Sequence, residues 1–309
     1  MGLVTLEEVL AKADEGGYAV GAFNFSNLEY LTGALEAAVE LDSPIIVQTT
    51  EGAIKYAGLH LLAAMAKAAA AELSIPVVLH LDHGKDINLI GRAIEAGYTS
   101  VMIDASDKPF SENLAATRKV VEMAEGKGIS VEAELGRLKG LEDHIDVAEA
   151  DSFLVDPKEA EQFAVETGLH ALAPAVGTAH GAFKYKGRAQ IDFDRIAEVK
   201  RVTALPLVLH GASGVSEWIV EKAARYGAEL PGVKGVPDEF ITRAIETGIN
   251  KINVDTDLRL AGLGALREVL NDHPAEFDPR KIFGPVKEAV RELVKYKIEL
   301  FGSATKARN

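Results

Sequence analysis

The chain contains no cysteine, which excludes disulfide bonds, thiolate catalysis and cysteine-ligated metal sites. Other thermolabile residues are also scarce, with four methionines, three glutamines and eight asparagines among 309 residues. Such depletion is reported for proteins of thermophiles, although the charged fraction of 26% is not raised to match. We therefore expect a thermophile protein.

Long apolar runs and an excess of basic residues are also missing. No 18 consecutive residues are apolar, so no transmembrane helix is predicted. The first residues, MGLVTLEEVL, lack the basic region, apolar core and cleavage site of an export signal. A formal charge of −14 repels phosphate backbones, which argues against a nucleic-acid partner. We therefore expect a cytoplasmic enzyme without membrane or nucleic-acid partners.

Short runs rich in valine and isoleucine alternate with segments of helical spacing such as 28–41, 59–73 and 111–127. Alternating strands and helices pair in parallel, and eight such units usually close into a barrel. A doubly wound open sheet is the alternative, but no GxGxxG motif follows the first strand. We predict an α/β fold, a (β/α)8 TIM barrel. The predicted strands are AVGAF (19–23), IIVQT (45–49), VVLHL (77–81), VMID (101–104), SVEAEL (130–135), ALAPAV (171–176), LVLH (207–210) and KINV (251–254).

Three segments are longer than the usual βα connection of about 2–6 residues. Residues 136–157 are polar and acidic, and we expect a mobile functional loop there. Residues 178–190, which begin with TAHGAFKYKG, form a second long loop. Residues 229–237, ELPGVKGVP, are interpreted as a surface insertion without a chemical role.

Two helical stretches, 258–271 and 281–301, follow the eighth strand. They predict extra C-terminal helices, with an extension over about 275–309. No repeat or change of composition divides the chain, so residues 1–309 are predicted to form a single barrel domain.

Polar side chains stand at the carboxyl ends of six predicted strands. In this fold catalytic groups come from those ends, so residues far apart in sequence meet at one mouth of the barrel. The residues are Asp82 and His83 after strand three, Asp104 in strand four, Glu132 and Glu134 in strand five, His180 after strand six, His210 in strand seven, and Asn253, Asp255 and Thr256 at strand eight.

Three of the eight histidines, His83, His180 and His210, follow a barrel strand and lie beside or near a glycine. Three imidazoles with an open fourth position are the usual arrangement of a catalytic zinc site, so we predict a metal centre. Cobalt and other divalent transition ions suit the same ligands. His80 is interpreted as a supporting residue. The other histidines are interpreted as ordinary surface or core residues: His60, His144, His170 and His273.

The glycine-rich HGASG and the following NVDTD come after strands seven and eight, where barrels commonly bind phosphate. Small residues allow backbone N–H groups to approach an anion, and a helix N-terminus favours negative charge. Ser213 and Thr256 can donate hydroxyl groups, and Lys184 can add a positive charge. By itself, HGASG would be interpreted as a tight turn at Gly211 and Gly214.

The carboxylates allow two interpretations each. Asp82 adjoins a predicted metal ligand and could transfer a proton to a bound group, or it could orient a histidine. Asp104 and Glu134 are candidate ligands of a second metal position, or structural hydrogen-bond acceptors. Glu142 and Asp143 lie in the long loop, where closure can deliver a general base, but composition alone favours loop solvation as the explanation of this pair.

Five motifs occur in order across nearly the whole chain: LHLDHG, VEAELGRLKGLED, GTAHG, LHGASG and NVDTD. Together they resemble the class II, metal-dependent fructose-bisphosphate aldolases and the similar tagatose-bisphosphate aldolases. The resemblance implies a glycolytic lyase that reversibly splits a ketose bisphosphate into dihydroxyacetone phosphate and glyceraldehyde 3-phosphate. It does not decide between fructose and tagatose bisphosphate, which differ at one stereocentre.

The resemblance implies a role for each matching residue. Asp82 protonates the aldehyde oxygen during condensation, and Glu142 takes the proton from the hydroxymethyl carbon of dihydroxyacetone phosphate. The implied zinc ligands are His83, His180 and His210, with Asp104 and Glu134 holding the metal in an alternative buried position. The implied substrate-binding residues are Asn24, Thr50, Gly181, Lys184, Gly211, Ala212, Ser213, Asn253, Val254, Asp255 and Thr256.

The family resemblance also concerns partners. Arg280 matches an arginine that holds the second phosphate in a neighbouring subunit's site, which implies a homodimer or homotetramer. A monovalent cation near the phosphate is implied as well. The chain departs from the family at Thr50, where serine is frequent, but the hydroxyl group is kept.

Two other functions compete with the aldolase. A metal-dependent hydrolase on the same barrel would use the metal to activate water, but many such enzymes carry an HxH pair on strand one, which here reads AVGAFNF. A catalytically silent, sugar-phosphate-binding barrel is the third hypothesis, and no residue that catalysis requires is missing from the sequence.

Overall fold

Eight parallel strands form a closed barrel in the computed structural model, which describes residues 2–136, 139–142, 145–147, 154–180, 191–230, 233 and 235–308. Side chains at 139–142, 145–147, 179 and 180 lie outside that description. The barrel strands, numbered with the other strands in chain order, are β1 (Val20–Asn24), β2 (Ile45–Thr49), β3 (Val77–Gly84), β4 (Ser100–Ile103), β5 (Ser130–Leu135), β8 (Ala171–Pro174), β10 (Leu207–Leu209) and β11 (Ile249–Val254). Their order around the barrel is β1, β11, β10, β8, β5, β4, β3, β2. The predicted fold is confirmed, and each predicted strand overlaps an observed one.

Helices follow the strands and cover the barrel. The described helices are α1 (Leu6–Gly16), α2 (Leu28–Glu40), α3 (Glu51–Ala57), α4 (Leu59–Ala71), α5 (Ile87–Ala96), α6 (Phe110–Ala124), α7 (Pro157–Thr167), α8 (Phe193–Thr203), α9 (Glu217–Arg225), α10 (Asp238–Thr247), α11 (Thr256–Asp272) and α12 (Pro279–Phe301). Among the described residues, no helix combines the length and apolarity that crossing a membrane needs.

The barrel interior changes from apolar to polar along the strands. Side chains of a strand alternate between its two faces, so residues two apart share the interior. Val20, Ile46, Val78 and Val208 belong to one buried cluster with Leu10 and other apolar residues of α1. The N-terminal end of the barrel is therefore filled by hydrophobic side chains, and α1 packs against it.

The opposite end of the interior is polar. Two residues after this apolar layer come Gln48 in β2, His80 in β3 and His210 after β10, all of them buried. A polar layer needs internal hydrogen bonds, since buried polar groups without partners are costly. This requirement explains the dense network described below, at the end where barrel enzymes carry their active sites.

The long connection after β5 contains two short strands. Strands β6 (Lys139–Glu142) and β7 (Ile145–Val147) pair in antiparallel fashion, and β6 pairs in parallel with β9 (Ala179–His180). The expected loop at 136–157 is thus partly a small sheet, which places the backbone at Gly140 beside that at His180.

The predicted C-terminal helices are present as α11 and α12. Helix α12 packs against α2, α11 and β1. The Phe301 carbonyl accepts a hydrogen bond from the Ala19 amide at 3.0 Å, just before β1. The extension is therefore part of the helical layer around the barrel.

The segment 229–237 is not simply a surface insertion. Val236 is completely buried, and its amide donates to the Ser213 carbonyl at 3.1 Å. A Cβ at Gly235 would come within 2.1 Å of the Gly214 carbonyl, so only glycine fits there. The expectation was wrong for Gly235 and Val236, because these two residues pack against the loop after β10.

Candidate active site

The end of β3 is irregular in a way that brings two consecutive side chains to the barrel mouth. The pairing of β3 with β4 shifts register between Leu81 and Gly84, as in a β-bulge, and His83 has a positive φ of 46°. A Cβ at Gly84 would lie 2.6 Å from the Met102 carbonyl oxygen, which explains the glycine. Strict alternation would send Asp82 and His83 to opposite faces. The bulge allows both to reach the site.

His83 and His210 meet across the barrel. Their ring centroids are 4.6 Å apart, although His83 belongs to β3 and His210 directly follows β10. The Nδ1 atom of His83 lies 2.9 Å from a carboxylate oxygen of Asp104. Such a carboxylate orients the imidazole and fixes its tautomer. Burial is the largest influence on Asp104 and favours its neutral form. The hydrogen bond and charge of His83 outweigh burial and hold the pKa of Asp104 well below the usual value.

His210 is held between two glutamates. Its Nδ1 lies 2.9 Å from Glu134 and its Nε2 lies 3.0 Å from Glu132. Burial, the largest influence, lowers the pKa of His210, yet the hydrogen bonds to the two glutamates outweigh it and raise the pKa to about 9. Without a metal, this imidazole is therefore protonated at neutral pH.

Glu132 also forms a completely buried ion pair. Lys251 in β11 donates to both oxygens of Glu132, at 2.8 and 3.1 Å, and neither side chain is accessible. Burial favours the neutral carboxyl, but the charge of Lys251 and the hydrogen bond from His210 outweigh it and hold the pKa of Glu132 far below the usual value. His80 Nε2 lies 3.7 Å from the same carboxylate. Burial and the charge of Lys251 lower the pKa of His80, so His80 is neutral.

The Asp82 carboxylate is held by two amides. Gln48 donates to one oxygen at 3.0 Å, and Asn253 donates to the other at 2.9 Å. Gln48 also donates to Asn24 at 2.7 Å, so a chain of polar contacts joins β1, β2, β3 and β11. Asp82 is 1% exposed and therefore has a fixed orientation toward the polar end of the barrel.

The donor atoms of these residues fit a transition metal. In the first of two groups, one atom each from Asp82, His83 and His210 lie within 4.8 Å of one another. In the second, atoms from His83, Asp104 and Glu134 do the same. Imidazole and carboxylate ligands at this spacing suit zinc, cobalt and related divalent ions. The two groups share His83 and therefore offer two neighbouring candidate positions for a metal.

Those predicted phosphate residues that the structure describes lie at the adjacent ends of β10 and β11. Gly211 has a positive φ of 62°, and the next residues, Ala212 and Ser213, are buried. Asn253 and Val254 end β11, and Thr256 begins α11. Because β10 and β11 are paired, these two short segments are neighbours.

Other predicted residues are placed differently. Asp255 binds Arg259 through an oxygen 2.7 Å from the guanidinium. Thr50 is 6% exposed, and its hydroxyl accepts the Ala53 amide hydrogen at 3.2 Å, which caps α3. Arg280 lies in the first turn of α12, paired with Asp278 at 2.7 Å and with 89% of its side chain exposed.

Five predicted residues lie wholly or partly outside the part of the chain that the structure describes. Gly181, Lys184 and Asp143 lie outside the described residues. Glu142 ends β6 and His180 ends β9, and these two strands are paired. Their side chains lie outside the description, so only the proximity of the two backbones is established.

Two residues of the polar network, Lys251 and Gln48, are not among the site residues that the sequence predicts. Lys251 and Gln48 stand within strands, where each could equally face the helices. The signal for Lys251 was its spacing of two from Asn253, since residues two apart share a strand face. Glu132 was noted at the end of β5 but without the role of partner to His210.

Comparisons with known proteins point to one family. The family model for class II fructose-bisphosphate aldolase matches residues 4–229 and 230–306. A fructose-bisphosphate aldolase of Helicobacter pylori is 51% identical over 305 residues, covering 98% of this chain and 99% of the relative. One from Thermus caldophilus is 49% identical over 305 residues, covering 99% and 100%.

The chain belongs to the class II fructose-bisphosphate aldolases.

A solved structure supports the fold of this aldolase. The YdjI aldolase of Escherichia coli K12 superposes with a TM-score of 0.81 at 33% identity, covering 99% of both chains. The family is one of lyases, and its class II members depend on a metal. The relatives are named as aldolases. They give no support to the two competing hypotheses from the sequence, the hydrolase and the catalytically silent barrel.

Proposed function

We propose that this aldolase reversibly cleaves fructose 1,6-bisphosphate to dihydroxyacetone phosphate and glyceraldehyde 3-phosphate, using a divalent transition metal held by His83, His180 and His210. The observation that carries the proposal is the convergence of donor atoms from Asp82, His83 and His210 within 4.8 Å. Zinc is the first candidate and cobalt the second, because imidazole ligands suit both. When bound, such an ion would supply a Lewis acid that stabilises negative charge on substrate oxygens.

Asp82 is proposed to hold the proton that passes to the aldehyde oxygen during condensation. Gln48 and Asn253 each donate to one of its oxygens, so its orientation is fixed before substrate arrives. Fixed orientation is what a general acid needs, because proton transfer depends first on geometry.

Glu142 is proposed as the base that removes a proton from the hydroxymethyl carbon of dihydroxyacetone phosphate. Its backbone belongs to β6, which is paired with the strand that ends at His180. A base on such a segment can approach substrate when the loop closes, and water is excluded in the same movement.

Asp104 and Glu134 are proposed to bind the metal in a second, more buried position. Their oxygens and a His83 nitrogen lie within 4.8 Å of one another. In the protein without metal, the same carboxylates accept hydrogen bonds from His83 and His210. An ion held by these carboxylates would compete with the two imidazoles for the carboxylate oxygens.

The first phosphate is proposed to bind between the ends of β10 and β11. The proposed residues are Gly181, Lys184, Gly211, Ala212, Ser213, Asn253, Val254, Asp255 and Thr256, with Asn24 near the substrate and a monovalent cation beside the phosphate. The N-terminus of α11 supports this assignment, since helix N-termini favour anions. Thr50 is kept as a contact, although its hydroxyl also caps α3.

Arg280 is proposed to bind the second phosphate in a neighbouring subunit. Its guanidinium is exposed at the start of α12, which suits a contact outside its own chain. The active unit would then be a homodimer or homotetramer. We also propose a glycolytic role in the cytoplasm of a thermophile.

A coupled assay of triose phosphate release tests the proposal. We expect cleavage of fructose 1,6-bisphosphate that disappears with a chelator and returns with zinc or cobalt. Tagatose 1,6-bisphosphate, the epimeric substrate, is the second candidate, and a higher kcat/KM on it would reassign the substrate. Activity that survives complete chelation and is lost on borohydride trapping of a lysine would contradict the proposal.

A further inference from the structure

The loop after β10 is anchored by a buried carboxylate from α11. Asp257 is completely buried and accepts the backbone N–H of Gly214 at 3.0 Å and of Val215 at 2.6 Å. Lys297, in the C-terminal helix α12, is also buried and lies 3.0 Å from the same carboxylate. A buried carboxylate is tolerated when it is paired and hydrogen-bonded, and here Lys297 and the two backbone amides are those partners.

The anchored backbone has a conformation that its residues do not favour. Val215 has a positive φ of 43°, which is an uncommon conformation for a residue branched at Cβ. Its amide donates the shorter of the two hydrogen bonds to Asp257. The shape of the loop therefore depends on the carboxylate, and the carboxylate depends on α12.

A second contact from α12 reaches the same loop. The Tyr296 hydroxyl donates to the carboxylate of Asp238, the first residue of α10, and is also hydrogen-bonded to Ser216. The Lys297 ammonium lies 5.3 Å from the centre of the Tyr296 ring. Two consecutive residues of α12 thus hold the far side of the loop, from Gly214 to Ser216.

We propose that Lys297 and Asp257 are positioning residues for phosphate binding. They act through the backbone and set the path of the loop in which Gly211, Ala212 and Ser213 lie. This inference rests on the proposed function, which assigns phosphate binding to those three residues. It gives α12 a role in substrate affinity in addition to its packing against the barrel.

The test replaces Lys297 by methionine, which keeps most of the apolar stem and removes the charge. Lys295→Met is the matched control, because Lys295 stands on the same helix and pairs instead with Glu40 at 2.6 Å. The measurements are kcat and KM for fructose 1,6-bisphosphate, the Kd of inorganic phosphate by calorimetry, and bound metal per chain. For Lys297→Met we expect about a tenfold rise in KM and in the phosphate Kd, with metal content unchanged. Lys295→Met should match the parent.

A second variant covers the case in which Lys297→Met does not fold. The combination of Asp257→Asn with Lys297→Met leaves no unpaired buried charge, so it should fold while it loses the charged acceptor of the Gly214 and Val215 amides. We expect the same weakening of phosphate binding in this variant.

Two results would overturn the inference: phosphate affinity equal to that of the parent in a folded Lys297 variant, or an equal loss in Lys295→Met. The first would show that the loop keeps its shape without the pair, and the second would show a general effect of α12. Failure of the proposed function would be seen separately, as a parent protein that neither cleaves the bisphosphate nor binds phosphate.

Discussion

Replacing Lys251 by methionine tests whether the buried ion pair with Glu132 organises the metal site. The change removes the ammonium that donates to both oxygens of Glu132, at 2.8 and 3.1 Å, and neither side chain is exposed. Breaking a buried pair from one side leaves an uncompensated charge and typically costs about 3–5 kcal/mol of unfolding free energy. The same substitution at Lys287, whose exposed pair with Glu36 spans 2.9 Å, should cost less than about 1 kcal/mol.

Urea unfolding of the metal-free protein measures the two free energies. Competition with a chromophoric chelator measures metal affinity, which we also expect to fall. Lys251 holds Glu132 in place, and Glu132 orients the ring of His210. Loss of such an orienting partner typically weakens metal affinity about 10–100-fold. The combination of Glu132→Gln with Lys251→Met should recover part of the stability, since no buried charge is left unpaired. The reasoning is refuted if Lys251→Met destabilises the protein no more than Lys287→Met does.

Three further predictions concern other parts of the site. The folded-state pKa of His210, about 9, exceeds the unfolded value near 6.5, so its charge should stabilise the metal-free protein by about 3 kcal/mol below pH 6.5. That contribution is lost as the pH rises to 9; urea midpoints should fall over this range in the parent, and a His210→Gln variant should lack this part of the fall. Glu142→Gln should keep the metal but slow proton exchange into dihydroxyacetone phosphate by at least about 100-fold, and exchange at the parent rate, followed by NMR, would remove Glu142 from the mechanism. Gly84→Ala would place a Cβ 2.6 Å from the Met102 carbonyl oxygen, so its melting temperature and metal content should both drop, whereas a stable, metal-replete variant would contradict the account of the bulge.

The barrel could be predicted because each strand is a short, mostly apolar run with a clear boundary. The predicted run 130–135 coincides with β5, and 45–49 coincides with β2, where proline precedes the strand. Polar residues at strand ends then converge by topology alone, so the sequence predicts that His83 and His210 meet.

The interior partners were harder to find. Lys251 and Gln48 lie within strands, and a single residue does not reveal which face of a strand it occupies unless the register is known. The placement of Asp82 and His83 on the same side depends on a bulge that shifts register between Leu81 and Gly84, which strict alternation does not predict.

The contacts of the C-terminal helix were also beyond the sequence. Lys297 looks like one of several charged residues on α12, and its burial against Asp257 depends on how α12 packs on α11. The segment containing Val236 was misinterpreted for the same reason, because its role comes from contact with a loop that lies earlier in the chain.

The central claim is that three imidazoles bind one ion at the mouth of the barrel. X-ray absorption spectroscopy of the zinc-loaded protein tests it directly, because it reports the number, type and distance of the ligands. The account predicts three histidine nitrogens at about 2.0–2.1 Å, and two in a His180→Ala variant. A zinc shell made only of oxygen ligands, or one that His180→Ala and His210→Ala leave unchanged, would contradict it.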